Sequence, residues 1–272
     1  MEKMENKGLF QKLLALFLIL LIPVFLLTNI SLFHSKRKFS PHFSTEFIPK
    51  EEYLTQKNFV FVLHTGKDHL SLEHNIQSIF TQKYDHYRVL LLYSNVHKEE
   101  LQKVKQLAAK ENKLHLVTFF ESPDEIITLD SFCEAINSCD DNEIVIQIHS
   151  HDWLAHENVL NRLNETHHSS PEIWLTYSQY LEYPSYRKGD EETYRKKMLR
   201  NRHSRKIPYL SAHLKTYYAG LFKQIHPDPK FTYKRALERE TIDLYLLPMV
   251  EVAKNHIQFI DDVLYIHNST LF

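Results

Sequence analysis

Short apolar runs and helical segments alternate between residues 58 and 148. The apolar runs lie at 58–63, 88–93, 114–119 and 143–148, and apolar side chains with helical spacing occupy 70–82, 98–111 and 129–138. This alternation is typical of buried parallel strands that are joined by right-handed crossovers. The sequence therefore predicts a doubly wound α/β sheet, in which ligands bind beyond the carboxyl ends of the strands.

The pattern changes after residue 153. Apolar spacing there predicts a helix at 157–167, a strand at 173–183, helices at 213–224 and 240–255, and a final strand at 262–268. A chain of 272 residues, 43% of them hydrophobic, is long enough for one sizeable domain with a core. We place that domain at residues 58–272.

Composition excludes several classes of function. The 33 Lys and Arg nearly balance the 34 Asp and Glu, so the chain has no overall field that would attract nucleic acid. Only four Gly occur, and neither a Walker nor a dinucleotide-binding loop is present. Cys133 and Cys139 are six apart in a helical segment and face opposite sides, which argues against a disulfide between them.

An uncharged apolar segment at residues 13–33 is long enough to cross a membrane as one helix. A cleaved signal peptide is the alternative, but the segment is long for one and no small-x-small cleavage site follows it. We predict an uncleaved single-pass anchor after a tail at 1–12, with a tether at 34–57. Three positive charges flank each end of the segment, so the sequence does not decide on which side of the membrane the domain lies. The residues are Lys3, Lys7, Lys12, Lys36, Arg37 and Lys38.

Polar segments follow three of the four predicted strands. They read HTGKDH from residue 64, YSNVH from residue 93 and HSHDW from residue 149. In a parallel sheet the carboxyl ends of neighbouring strands meet at one edge, and binding residues concentrate there. The His-Ser-His-Asp sequence at 149–152 is the most distinctive of the three.

Several longer segments together resemble the family-2 type glycosyltransferases, which use nucleotide-sugar donors and have the Rossmann-like GT-A fold. The segments are HNIQSIFTQKYDHYRVLLL (74–92), AINSCDDNEIVIQIHSHDWLAHENVLNRLNE (135–165), WLTYSQYLEYPS (174–185), SAHLKTYYAGLFKQI (211–225) and LLPMVEVA (246–253). The resemblance covers residues 58–268. It implies transfer of a sugar from a nucleotide-diphosphate donor to a glycan or lipid-linked acceptor.

The resemblance also implies a divalent cation, Mn²⁺ or Mg²⁺, at a strand-end motif that reads D-G-D-D-W-L in the family. Here the matching positions are His149, Ser150, His151, Asp152 and Trp153. Three interpretations stay open. The two imidazoles and Asp152 hold a borderline ion such as Mn²⁺ or Zn²⁺, or they bind phosphate as imidazolium groups without a metal, or the metal site is lost.

Further roles follow from the family pattern. The expected donor-binding residues are His64, Tyr93, His149, His151 and Trp153. The base that deprotonates the acceptor is expected to be Glu240, with Asp243 as the second choice and Asp152 assisting in catalysis. Tyr177 and Gln179 are the expected acceptor contacts, because alternation along the strand places them on one face.

Two other function classes remain. A degenerate member of the family would bind a glycan or a partner protein without transferring sugar. An unrelated metallohydrolase fits less well, because Asp152 follows His151 directly, whereas one such class has the spacing H-x-H-x-D-H. The basic stretch at 186–206 is open to three interpretations: a flap over the donor diphosphate, a patch on lipid headgroups, or a solvated loop.

Overall fold

The computed structural model describes residues 55–65, 69–94, 98–122, 127–189, 214–225 and 248–270, apart from 251 and 254. All of these residues belong to the unit Phe47–Phe272. The predicted anchor at 13–33 and most of the tether at 34–57 lie outside the described residues. In the part of the chain that is described, no helix combines the length and the apolar character needed to cross a bilayer.

The described residues include nine strands and five α-helices. The strands are β1 Phe59–His64, β2 Tyr87–Ser94, β3 Val117–Ser122, β4 Ile144–Gln147, β5 Trp153–Leu154, β6 Leu175–Tyr183, β7 Arg187–Lys188, β8 Lys215–Tyr218 and β9 Ile257–Asn268. The helices are α1 His69–Phe80, α2 Lys98–Lys110, α3 Leu129–Asn137, α4 Val159–Ser169 and α5 Ala219–Lys223. Residues 248–250 and 252–253 are also helical.

One mixed sheet holds all nine strands in the order β3-β2-β1-β4-β8-β6-β9-β5, with β7 paired to β6. Strand β1 is parallel to β2 and β4, and β2 is parallel to β3. The parallel half-sheet that the sequence predicts is therefore confirmed. Strand β8 runs antiparallel to both β4 and β6, so the second half of the sheet is mixed.

Three predicted elements differ from the structure, and one is the last strand, which was expected at 262–268 but begins at Ile257. The strand expected at 114–119 begins only at Val117, because a 3₁₀ turn occupies Leu114–Leu116 and Leu114 is 45% exposed. The helix expected at 213–224 is instead β8 followed by α5. Thr216 and Tyr217 favour extended backbone, and they pair with β4 and β6 at the centre of the sheet.

The core lies in two layers, one on each face of the sheet. Phe59, Phe61 and Leu63 of β1 pack with α1 and α2 on one face, whereas Val60 and Val62 pack with α3 on the other. Successive side chains of a strand point to opposite faces, and crossover helices cover both faces of a parallel sheet. Strand β1 is accordingly buried along almost its whole length.

Strand β9 brings the end of the chain to the loop that follows β4. It runs parallel to β6, where Glu182 pairs with His267, and it pairs with β5 through Trp153 and Ile266. Because β5 begins directly after Asp152, this pairing places His267 beside the loop of residues 148–152. Two segments that are more than 100 residues apart in sequence meet at one edge of the sheet.

An ion pair ties β2 to the start of β4. Arg88 donates from Nε and Nη2 to the two carboxylate oxygens of Glu143, at 2.8 Å each. Burial alone would raise the pKa of Glu143, but the hydrogen bonds from Arg88 and the Asp140 backbone N–H lower it overall. The pair therefore stabilises the fold above the ordinary pKa of a glutamate, and this contribution is lost as the pH falls through the lowered pKa.

Replacing Arg88 by Met is expected to lower the free energy of unfolding by about 1–2 kcal/mol at pH 7, because Glu143 would keep its charge without its bidentate partner. Urea unfolding of the variant and the wild type at pH 7 and pH 3.5 measures the loss, which should shrink at the lower pH. Arg187→Met is the matched control, since Arg187 is 80% exposed and lies 3.6 Å from Glu182. An equal loss in both variants would contradict the prediction.

Candidate functional site

Four histidines form a row at the carboxyl edge of the sheet. His64 ends β1, His149 and His151 follow β4, and His267 lies near the end of β9. Successive ring centroids are 6.5 Å, 5.9 Å and 6.5 Å apart. Two of the three polar strand-end segments, those after the first and fourth predicted strands, therefore meet as neighbours, because β1 pairs with β4.

Hydrogen bonds hold the Asp152 side chain in place at this edge of the sheet. Its side chain is fully buried, and its Oδ2 accepts a hydrogen bond from the Tyr265 hydroxyl at 2.6 Å. Its Oδ1 accepts from the Asn268 backbone N–H at 2.8 Å and lies 3.1 Å from Nδ1 of His267. Hydrogen bonds to the charged form stabilise a buried carboxylate, so the surroundings hold Asp152 in place as an acceptor.

The loop that carries Asp152 is tied to α1 as well. The Asn75 amide donates to the backbone oxygens of His149 and Asp152, at 2.7 Å and 2.5 Å. Asn75 is itself fully buried. The Asp152 backbone N–H closes a turn onto the His149 oxygen at 3.1 Å. These bonds fix the direction in which the His151 and Asp152 side chains leave the backbone.

His151, Asp152 and His267 could together hold a metal ion. Their ligand atoms all lie within 4.8 Å of one another. Asp152 Oδ1 is 3.8 Å from His151 Nε2 and 3.1 Å from His267 Nδ1. An ion with bonds of about 2.1 Å requires donors roughly 3.0–3.5 Å apart, so small side-chain movements would complete the site. Two nitrogens and one oxygen suit Mn²⁺ or Zn²⁺ better than Mg²⁺.

This group differs from the ligand set predicted from the sequence, which stays a prediction. His151 and Asp152 are retained, but His149 lies outside the group and its place is taken by His267. His267 reaches the group because β9 pairs with β5. The His149 ring lies instead between the rings of His64 and His151. One signal for His267 was present, because it follows the apolar residues of the last strand at a carboxyl end.

Trp153 contacts aromatic rings on both sides. Its ring stacks on His74 of α1 at 4.4 Å and 12°, and Tyr183 of β6 meets it edge-on at 5.2 Å. Trp153 is half-buried and pairs with Ile266, so it lies next to the group that His151, Asp152 and His267 form. Its role in donor binding stays a prediction.

Tyr93 lies on the other face of the sheet from His64. His64 pairs with Leu92, and the next side chain along β2 points to the opposite face. The Tyr93 hydroxyl donates to Glu121 of β3 at 3.2 Å, and slight burial together with this acidic partner raises the pKa of Tyr93. Stacking of Tyr93 on a donor base stays a prediction.

The expected acceptor contacts are buried. Tyr177 is 5% exposed and packs against Phe259 at 5.1 Å between ring centroids. Gln179 is 8% exposed, and its amide donates to the Gly189 oxygen and accepts from the Tyr180 N–H. The first seven residues of β6 are buried, and contact of Tyr177 and Gln179 with an acceptor stays a prediction.

The remaining predicted residues lie outside the described part of the chain. Glu240 and Asp243, the expected catalytic bases, are among them, as is the basic stretch beyond residue 189. Trp174, which precedes β6, is described: it is 37% exposed and its ring stacks on His256 at 3.8 Å.

Comparisons with known proteins identify the fold. No family model and no curated protein sequence matches the chain. Residues 1–349 of TarS from S. aureus superpose with a TM-score of 0.59 at 16% identity, over 78% of this chain and 60% of that one. A mannosyltransferase from Pyrobaculum calidifontis, bound to GDP-Man and Mn²⁺, gives 0.54 at 12% identity, over 80% and 58%. This chain has the GT-A fold.

A third structure has the same fold. Glucosyl-3-phosphoglycerate synthase from Mycobacterium tuberculosis, bound to Mn²⁺, UDP and glucosyl-3-phosphoglycerate, gives a TM-score of 0.50 at 12% identity, over 78% of this chain and 72% of that one. TarS residues 1–349 were also solved with UDP-GlcNAc. The chain spans about 60% of the length of the TarS fragment. The GT-A fold expected from the sequence is thus confirmed.

Proposed function

We propose that the chain is a glycosyltransferase that moves a sugar from a nucleotide-diphosphate donor to an acceptor. The observation that carries this proposal is the group formed by His151, Asp152 and His267 at the carboxyl edge of a GT-A sheet. Ligands of open α/β sheets bind at this edge. Structural neighbours bind UDP-GlcNAc, or GDP-Man with Mn²⁺, which supports the same donor class for this chain.

The described residues at this edge of the sheet have different expected roles. A divalent cation bound there would withdraw negative charge from the diphosphate as the bond to the sugar breaks. Tyr265 and the Asn268 N–H keep the Asp152 carboxylate oriented toward His151 and His267. His64 and His149 extend the row beyond this group, where their ring nitrogens can bind phosphate oxygens.

The acceptor base, the anchor and the acceptor belong to the same proposal. Glu240 is the first choice for deprotonating the acceptor hydroxyl and Asp243 the second, on the family pattern alone. A single-pass anchor at 13–33 and a tether at 34–57 would hold the domain at a membrane, on a side that the flanking charges do not decide. A membrane location suits a glycan or lipid-linked acceptor.

A second candidate function is binding without transfer. Imidazoles at residues 149 and 151 stand where the resembling family has acidic residues, and His149 is only 8% exposed. A protein with this fold that had lost metal-dependent donor binding would recognise a glycan or a partner protein only.

Calorimetric titration of donors distinguishes the two candidates. The full chain is titrated with UDP-glucose, UDP-GlcNAc and GDP-mannose, each with and without Mn²⁺. We expect saturable binding of at least one donor that requires Mn²⁺ and is lost in His151→Ala. The control is His115→Ala, because His115 is exposed and distant in the fold from the carboxyl edge. If no donor binds in either condition, transfer is wrong and the second candidate stands.

A further inference from the structure

A chain of aromatic contacts leads away from His151, Asp152 and His267. It runs from His74 of α1 through Trp153 and Tyr183 to Tyr186, with ring centroids 4.4 Å, 5.2 Å and 5.7 Å apart. His74 is exposed and the other three are half-buried, so each ring reaches solvent. We call these four side chains the aromatic row. Their contacts hold the Trp153 ring in one orientation at the protein surface.

A pocket of about 320 Å³ opens beside the first two members of this row. Besides His74 and Trp153, the described residues that line it include Gln77, Thr81, His156 and Glu157. Its volume lies at the lower end of the range for small-ligand sites, which is about 300–1,000 Å³. The lining thus combines a broad aromatic wall with amide and hydroxyl groups.

The charges of this lining argue for a neutral ligand. Partial burial lowers the pKa of His74 and of His156 below the ordinary value of 6.5, so both rings are mostly neutral at pH 7. Glu157 is paired with Lys83. Within the described residues, the lining therefore offers no cation that an anionic ligand would need to offset its desolvation.

Polar groups in the last turn of α1 and directly after it are placed to bond such a ligand. Gln77 and Thr81 are exposed and lie four residues apart, which puts them on the same side of the helix. The Thr81 hydroxyl donates to the Ser78 backbone oxygen at 3.1 Å, so its oxygen can accept from a ligand hydroxyl. The Gln77 amide can both donate and accept.

We propose that this pocket and its aromatic wall form a binding subsite for an uncharged pyranose ring of a glycan. The C–H face of a pyranose would pack on the exposed His74 ring, whose other face is stacked on Trp153. Its hydroxyls match the amide and hydroxyl groups of Gln77 and Thr81. Trp153 follows Asp152 directly, so the subsite lies next to the proposed donor site. As an acceptor subsite it rests on the proposed function, whereas glycan binding itself does not.

The two tryptophans make a direct test possible. Trp174→Phe leaves Trp153 as the only Trp of the full chain, so its emission reports on the subsite. This variant is titrated with cellotriose, maltotriose and triacetylchitotriose, and we expect a saturable change with at least one. By calorimetry, Trp153→Ala should then weaken binding of that sugar at least tenfold. Trp174→Ala is the matched control, because Trp174 also stacks on a histidine, His256. This variant should bind the sugar as tightly as the wild type.

Three results would overturn the subsite. They are no saturable change with any of the sugars, an equal loss in Trp174→Ala, or tighter binding of trigalacturonic acid than of the neutral sugars. Gln77→Ala changes an exposed helix position and keeps the aromatic row, so it should weaken binding about threefold without unfolding the chain. If a donor binds with Mn²⁺ but no trisaccharide does, the subsite is wrong and the proposed function stands. If a trisaccharide binds but no donor does, the subsite stands and the proposed function is wrong.

Discussion

A His267→Ala variant is expected to bind Mn²⁺ at least about 100-fold more weakly than the wild type, because the proposed metal site would lose one of its three ligands. Removing this imidazole leaves one nitrogen and one carboxylate, which is too few protein ligands to hold an ion against water. His267 Nδ1 lies 3.1 Å from Asp152 Oδ1, so it is the nearest nitrogen to that oxygen in the group. Asp152 would keep its bonds to Tyr265 and the Asn268 N–H, so the loop should stay in place.

Loss of the free-Mn²⁺ signal in electron paramagnetic resonance measures this affinity without any substrate. The wild type should remove the signal at protein concentrations where His267→Ala does not. His115→Ala is the control, since it removes an exposed imidazole from the 3₁₀ turn. Equal Mn²⁺ binding by His267→Ala and the wild type would show that the ion, if it binds, uses other ligands.

The first half of the fold could be predicted from the sequence because its signals are local. Buried parallel strands are continuous apolar runs, and the amphipathic helices between them show a clear period of 3.6 residues. Strands β1, β2 and β4 and helices α1 to α3 accordingly begin and end within two residues of their predicted bounds. The position of HSHDW at the end of β4 follows from the same local reasoning.

The structure departs from the sequence pattern where tertiary pairing outweighs local preference. Strand β8 is only four residues long, and its pairing with β4 and β6 decides its conformation. Tyr177 and Gln179 read as one half of an alternating strand, but β6 is central in the sheet and both are buried. A bulge in the β6–β9 pairing on either side of Gln179 also breaks the simple alternation.

The ligand set shows the same limit. His151 and Asp152 are neighbours in sequence, and the strand-end motif was enough to find them. His267 reaches Asp152 only because β9 pairs with β5, a contact between residues more than 100 positions apart. Nothing near residue 267 in the sequence shows that its strand ends beside the HSHDW loop. A candidate metal site that is assembled from distant segments can therefore be predicted only in part from the sequence.

His167 is expected to make the fold strongly sensitive to mild acid. Its side chain on α4 is fully buried, and Nε2 lies 3.3 Å from the Thr216 hydroxyl, which in turn contacts Thr176 at 2.6 Å. Burial, and to a lesser degree the charge of Lys57, lowers the pKa of His167 to about 4, although a backbone hydrogen bond with Ile173 acts in the opposite direction. Protonating this ring would place a charge at the centre of the sheet.

The direction of the pH effect follows from these two pKa values. In the unfolded chain His167 titrates near 6.5, so between pH 6.5 and 4 the unfolded state binds the proton and the folded state does not. The contribution of His167 to the free energy of unfolding is therefore most favourable above pH 6.5. It falls as the pH drops from 6.5 to 4 and is constant below pH 4. A pKa difference of this size corresponds to roughly 3 kcal/mol.

Urea unfolding between pH 7.5 and 4.5 tests this with a variant that cannot titrate. His167→Gln should be less stable than the wild type at pH 7.5, because it packs less well, but its stability should fall by about 2–3 kcal/mol less on going to pH 4.5. His168→Gln is the control, since His168 is the exposed neighbour on the same helix and should leave the wild-type pH dependence unchanged. If His167→Gln lost stability with pH as steeply as the wild type, the acid sensitivity would have to come from other groups, because His167 would then be protonated equally in the folded and unfolded chain.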